Sequence, residues 1–204
     1  RSLNLDIFIE RFYPILGKFG FLGRKLILAN EFVKKSPKFE NFCKVNSWKK
    51  EIKSLKVVYF SGCVNEFVNP RAKIATENLF KKMGVEVLKT KFECCGMPFF
   101  SCGNLKQFIK QAEYNLAQIP DDFDYFITDC ASCAGAFRKY EKYITNNDLL
   151  EKLKKINEKS LNIVDFVLQN IENSEFKLPV KITFHKPCHL EKYDFVINLL
   201  KSTK

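Results

Sequence analysis

The chain of 204 residues is poor in the residues that punctuate structure and hold common cofactors: 8 Gly, 7 Pro, 2 Met, 2 His and 1 Trp. It has no G-x-G-x-x-G and no Gly-rich loop running into Lys-Ser or Lys-Thr. Those are the loops that cradle dinucleotide and nucleotide phosphates, so flavin, nicotinamide and nucleotide are not expected here. No run of 18 or more apolar residues occurs and no secretory leader is visible, which argues against a membrane span and a secreted disulfide scaffold. Also missing is any helix-turn-helix, finger or RNA-binding fingerprint that would turn the formal net charge of +11 into nucleic-acid affinity. Nucleic acid is therefore not an expected partner. The basic balance is expected to face an anionic cofactor, an acidic protein or an anionic membrane surface.

What is present is cysteine. Eight thiols in a chain of cytoplasmic character read as metal-binding or redox groups. Five of them fall into three groups: Ser61-Gly62-Cys63, then Glu93-Cys94-Cys95-Gly96-Met97-Pro98, then Asp129-Cys130-Ala131-Ser132-Cys133. Each group follows an apolar stretch with strand character: Val57 to Phe60, Val85 to Leu88, and Tyr125 to Thr128. In an open parallel sheet, ligands collect at the carboxyl ends of the strands. Three cysteine groups behind three such strands are thus expected to meet at one sheet edge and hold one metal centre. The closely spaced C-x2-C-x2-C run of simple ferredoxins is absent, and five thiolates exceed the four that a cubane cluster takes.

The set Cys63, Cys94-Cys95-Gly96 and Cys130-x-x-Cys133, with Met97-Pro98 behind the glycine and His185-Lys186-Pro187-Cys188-His189-Leu190 further on, resembles the cysteine-rich CCG domain. That domain occurs in the cysteine-rich component of heterodisulfide reductase and in iron–sulfur subunits of glycolate oxidase, lactate utilisation and anaerobic glycerol-3-phosphate dehydrogenase systems. The resemblance runs from about Val57 to Leu190. It implies a Rossmann-like α/β domain and an iron–sulfur centre, a non-cubane [4Fe-4S] cluster in the best-understood member, with Cys63, Cys94, Cys95, Cys130 and Cys133 as ligands. It further implies an electron-transfer subunit of a flavin-dependent 2-hydroxyacid (glycolate or lactate) oxidising complex. Electrons would come from a separate flavoprotein subunit and go to a quinone or another acceptor. The expected location is cytoplasmic, with peripheral association on the inner membrane face as an extension.

Alternatives stay open at the sequence level. A heterodisulfide-reductase-like subunit would cleave a disulfide at the cluster. A structural zinc would take four of the same thiolates and leave one over, making the chain a docking module without catalysis. A thioredoxin-like dithiol at Cys130 and Cys133 would leave the other three cysteines without a role.

Along the chain, residues 1–53 read as a helical segment and linker. Leu5, Phe8, Ile9, Phe12, Ile15, Leu16 and Phe19 keep helical spacing, and residues 36–53, with Cys43 among them, read as the linker. Residues 54–178 read as a first CCG domain with trailing helices. Within it Asn69-Pro70 opens a helix with Ala72, Ala75, Leu79 and Met83 on its buried face, and Gly84 ends it. Gly96 to Gly103 reads as a turn-rich loop holding Cys102, taken as a free thiol. Asn104 caps a helix with Leu105, Phe108, Ile109, Ala112 and Leu116 inward. A further helix starts near Ala131 and turns its positive end toward Cys130 and Cys133. Helices are expected near 147–156 and 160–173. Residues 179–204 repeat the opening theme, a strand at Val180 to Phe184 running into His185, Cys188 and His189, and read as the start of a second, incomplete CCG half. Cys188, His185 and His189 are lesser metal-ligand candidates. A second paired-cysteine group, spaced from Cys188 as Cys94 is from Cys63, would fall past residue 204. Together with the absence of an initiator Met before Arg1, this suggests a piece of a longer protein.

Overall fold

The computed structural model describes residues 43–176. The helices expected before residue 36, the strand at 180–184, and Cys188, His185 and His189 lie outside the described residues, as does the side chain of Cys43. The centre of the fold is a four-stranded parallel sheet of β2 (Lys56–Phe60), β3 (Glu86–Val87), β4 (Tyr125–Thr128) and β5 (Ser160–Asn162), in the spatial order β3-β2-β4-β5. β2 and β4 run in register from Val57 opposite Tyr125 to Phe60 opposite Thr128. The expected α/β class with a parallel sheet and flanking helices is what the chain adopts.

Parallel strands need a helical crossover between them and a cover on each face. The crossovers are α1 (Pro70–Met83), then the pair α2 (Met97–Ser101) and α3 (Leu105–Gln118), then α4 (Ala131–Tyr140) and α5 (Asn147–Glu158). Alternation along β2 divides the core in two. Val58 and Phe60 face a layer with Phe108, Ala112, Leu116, Phe126, Phe137, Tyr140, Leu153 and Ile156. Val57 and Tyr59 face Phe80, Met83, Ile127 and Phe166, the last from α6 (Ile163–Asn170). Phe60 sits among the rings of Phe92, Phe126 and Phe137, with centroids 4.8, 6.2 and 5.1 Å away.

Several local expectations are corrected. The linker reading of 36–53 fails from Cys43 onward: β1 (Cys43–Trp48) pairs antiparallel with β6 (Ile171–Phe176), and a 3-10 turn spans Lys50–Ser54. This pairing is long-range, so no local periodicity announces it. The stretch 160–173 is not one helix but β5, α6 and the start of β6, because Ser160–Asn162 finds β4 as a partner and Asn162 then caps α6 by accepting from the Asp165 N–H at 2.9 Å. The 96–103 loop contains the short helix α2, where Pro98 occupies a first-turn position that needs no N–H. In α1 the buried face is Thr76, Phe80 and Met83, while Ala75 is exposed. Turning the helix to bury Phe80 removes far more apolar area than burying Ala75. Asn69 makes no side-chain cap there, so Pro70 alone marks the start. Among the described residues no helix is long and apolar enough to cross a membrane.

Candidate metal centre

The three cysteine groups leave the sheet where β2, β3 and β4 end, and their thiols meet. Cys63 follows Gly62 at the end of β2, Cys94 and Cys95 lie on the loop beyond β3, and Cys130 caps α4, which contributes Cys133 from its first turn. The Cys63 and Cys94 sulfurs are 3.7 Å apart and share a hydrogen bond. Beyond that pair, the Cys94 and Cys95, the Cys95 and Cys133, and the Cys133 and Cys130 thiols lie near enough to perturb one another's ionisation. The result is a string of five sulfurs, all free thiols, with Cys94, Cys95 and Cys133 buried and Cys63 and Cys130 half-buried. Among the described residues no three or more Cys, His, Asp or Glu side chains gather around one point as a single bare ion would require.

Proton affinity varies along the string, with Cys63, Cys94 and Cys133 held up and Cys95 and Cys130 held down. Its hydrogen bond to Cys94, helped by burial, pushes the Cys63 thiol up. The Cys94 thiol gains thiolate character from Cys63, but Cys95 and burial outweigh this and push it up to about 12. Hydrogen bonds from Cys133 and Cys94 pull Cys95 well down. Cys133 is pushed up by Cys130 and Cys95 together. Cys130 is lowered to about 6, first by Cys133 and then, against its burial, by the backbone N–H groups of Cys133 and Ser132. Those two N–H groups belong to the first turn of α4, so the helix start faces the Cys130 sulfur as expected, whereas at Cys133 the neighbouring thiols and burial push the other way.

Two backbone features make the room. Gly62 has φ +71°, and a Cβ built on it would stand 2.9 Å from the Cys133 Sγ. Gly96 has φ +75°, and its Cβ would stand 3.0 Å from the Phe108 ring. The first glycine leaves space for sulfur; the second lets the paired-cysteine loop press against α3.

That loop is also held by polar groups that periodicity did not reveal. Asn115 of α3 is fully buried. Its Oδ1 accepts from the Glu93 N–H at 2.9 Å and its Nδ2 donates to the Cys94 carbonyl at 3.0 Å. Tyr140 of α4, also fully buried, donates its hydroxyl to the Cys95 carbonyl at 2.6 Å. The one sign in the sequence is an Asn placed between Ala112 and Leu116 on an otherwise apolar helix face, where a buried polar group must find partners. Nearby, the Tyr59 hydroxyl donates to Asp129 Oδ2 at 2.6 Å. A cleft of about 470 Å³ opens beside Cys63, bounded by Tyr59, Ser61, Lys73, Leu88 and Phe92. Cys102 ends α2, is exposed, and takes no part in the string.

With that geometry in place, similarity to known proteins can be set beside it. Residues 57–138 match the family model CCG, described as a cysteine-rich domain. This stretch of the chain is thus similar to a cysteine-rich CCG domain. Proteins similar to this chain include one named lactate utilization protein A from Geobacillus sp. (strain WCH70), 26% identical over 158 residues, covering 74% of this chain and 66% of that protein. Proteins of the same name from Bacillus subtilis (strain 168) and Bacillus pumilus (strain SAFR-032) are 26% and 25% identical over 142 residues, covering 68% of this chain and 59% of theirs. The chain thus spans 59% to 66% of the length of these relatives. No solved structure matches it.

The donor set of the site fits an iron–sulfur group on its own chemistry. Cysteine thiolates are the ligands such clusters take, five free thiols from three segments adjoin one another here, and Gly62 keeps the space beside Cys133 free of a side chain.

Proposed function

We propose that Cys63, Cys94, Cys95, Cys130 and Cys133 hold an iron–sulfur cluster of the non-cubane [4Fe-4S] kind, and that the chain is the electron-transfer subunit of a flavin-dependent lactate- or glycolate-oxidising complex. Its electrons come from a flavoprotein subunit and leave toward a quinone or another acceptor. The observation that carries this reading is the continuous string of five sulfurs at the sheet edge. Five adjoining sulfurs suit a multi-iron group better than one tetrahedral ion, which would leave a thiol over. The name of the relatives, lactate utilization protein A, favours lactate among the 2-hydroxyacids.

When bound, such a cluster supplies a one-electron store; the chain supplies its setting. Burial of Cys94, Cys95 and Cys133 keeps water from most of the sulfur string. The backbone N–H groups of Gly96 and Met97 lie near enough to the Cys94 and Cys95 sulfurs to favour their thiolates, which suits a negatively charged centre. Cys63 and Cys130 are the half-buried members, and the cleft beside Cys63 supports the approach of a redox partner from that side.

The test is elemental analysis and a visible spectrum on protein made and kept without oxygen, followed by Cys→Ser at each of the five positions and at Cys102. About four irons with acid-labile sulfide, lost on replacing any of the five and kept in Cys102→Ser, is the expected result. One zinc and no iron would overturn the electron-transfer reading and leave the docking module. Failure of the iron-loaded protein to accept electrons from a lactate-reduced flavoprotein partner would remove the hydroxyacid assignment while leaving the cluster.

A further inference from the structure

The peptide between Cys95 and Gly96 is gripped at both ends. Its carbonyl accepts from the Tyr140 hydroxyl at 2.6 Å, and its N–H lies near enough to the Cys94 sulfur to favour the thiolate. All peptide bonds among the described residues are trans, so C=O and N–H point in opposite directions from one rigid plane. Fixing the carbonyl on Tyr140 therefore aims the Gly96 N–H at the sulfur. Asn115 extends the same series: its Oδ1 is committed to the Glu93 N–H, which leaves Nδ2 facing the Cys94 carbonyl and the Tyr140 oxygen. The order is Asn115 amide, Tyr140 hydroxyl, Cys95 carbonyl, Gly96 N–H, Cys94 sulfur. Each donor in such a series polarises the next, and in a buried site the strengthening is retained.

We propose that Tyr140 is a positioning residue for redox chemistry, setting the reduction potential of the group held at Cys94 through the Cys95–Gly96 peptide without touching that group. The proposal rests on the cluster reading above. A stronger N–H···S bond stabilises the more negative, reduced state and raises the potential; a weaker one lowers it. The sign is thus fixed by the direction of the series. Burial of Tyr140 and Asn115 means water does not replace the lost donor.

The experiment uses the whole chain, made without oxygen, and reads midpoint potential by spectroscopic redox titration beside iron content. Tyr140→Phe removes the hydroxyl and keeps the ring. At the wild-type midpoint its reduced-to-oxidised ratio is expected to fall about two- to threefold, from polarisation of one charged hydrogen bond. Incorporating 3-fluorotyrosine at position 140, a stronger donor of nearly the same shape, should move the ratio the opposite way. Tyr143→Phe is the matched control, since Tyr143 shares ring contacts with Phe100 and Phe108 near the same helix; it should leave the potential in place. An unchanged potential in both position-140 proteins at full iron content overturns the inference and leaves the cluster reading standing. If Tyr140→Phe fails to load iron, the fluorotyrosine protein decides alone: a raised potential supports the inference and an unmoved one overturns it. An iron-free wild type takes down both.

Discussion

Gly62 offers the sharpest test of whether the sheet edge is shaped around sulfur. Changing it to Ala places a methyl group 2.9 Å from the Cys133 Sγ, where ordinary non-bonded contact lies at about 3.5–4.0 Å. The methyl or the sulfur must give by about 0.6 Å or more, and Cys133 is buried in the first turn of α4 with Cys95 and Cys130 on either side. Overpacking of this kind costs about 1–3 kcal/mol. The backbone adds a second term, because φ is +71° and an L-residue held in the left-handed region costs about 1–2 kcal/mol. Together the loss is about 2–5 kcal/mol, a large part of the usual net stability of about 5–15 kcal/mol. Gly103 separates the two terms. It has φ +79°, and a Cβ placed on it would meet nothing within 4 Å, so Gly103→Ala should show the backbone term alone. Urea unfolding of the metal-free proteins, followed by circular dichroism, should put Gly62→Ala below Gly103→Ala by about 1–3 kcal/mol, the overpacking difference. Iron loading should suffer in the first and not in the second. Equal losses in the two variants, with equal iron, would refute the claim that Gly62 is there to make room for Cys133.

Asn115→Leu keeps the side-chain volume and leaves the buried Cys94 carbonyl without its donor and the Glu93 N–H without its acceptor; urea unfolding should show a loss of about 2–3 kcal/mol. Phe60→Ala removes a fully buried ring that contacts three others, and about 3–5 kcal/mol should disappear in the same assay. In metal-free protein, peptide mapping after brief maleimide treatment should find Cys102 modified before Cys94, Cys95 and Cys133, which resist until denaturant is added. Early labelling of Cys95 in native protein would contradict the burial of the string.

The parts of the fold that were legible are those written in short-range pattern. Val57 to Phe60 and Tyr125 to Thr128 are compact apolar runs, and each became a central strand with its cysteines at the carboxyl end. Asn104 was readable as a cap because its side chain accepts from the N–H three residues on, at 3.2 Å, an interaction confined to one turn. The pairing of β1 with β6 was not readable, since nothing near Cys43–Trp48 encodes a partner at Ile171–Phe176. Strand β3 shrank to two exposed residues at the sheet edge, where one neighbour supplies hydrogen bonds instead of two.

The cysteines were legible for a different reason than the groups that hold them. A thiol declares its chemistry by its type, so five in three spaced groups stand out even before a fold exists. Asn115 and Tyr140 declare nothing: one looks like a flaw in an apolar helix face, the other like one more core aromatic. Their roles arise only when α3 and α4 close on the paired-cysteine loop and its carbonyls need donors in a place water does not reach. The glycine of the Cys94-Cys95-Gly96 motif belongs to the same closure. Its positive φ makes the turn that follows the paired cysteines, and its missing side chain lets Phe108 approach. A methyl at Gly96 would therefore disturb the packing of the paired-cysteine loop against α3. The motif is a packing instruction as much as a ligand set.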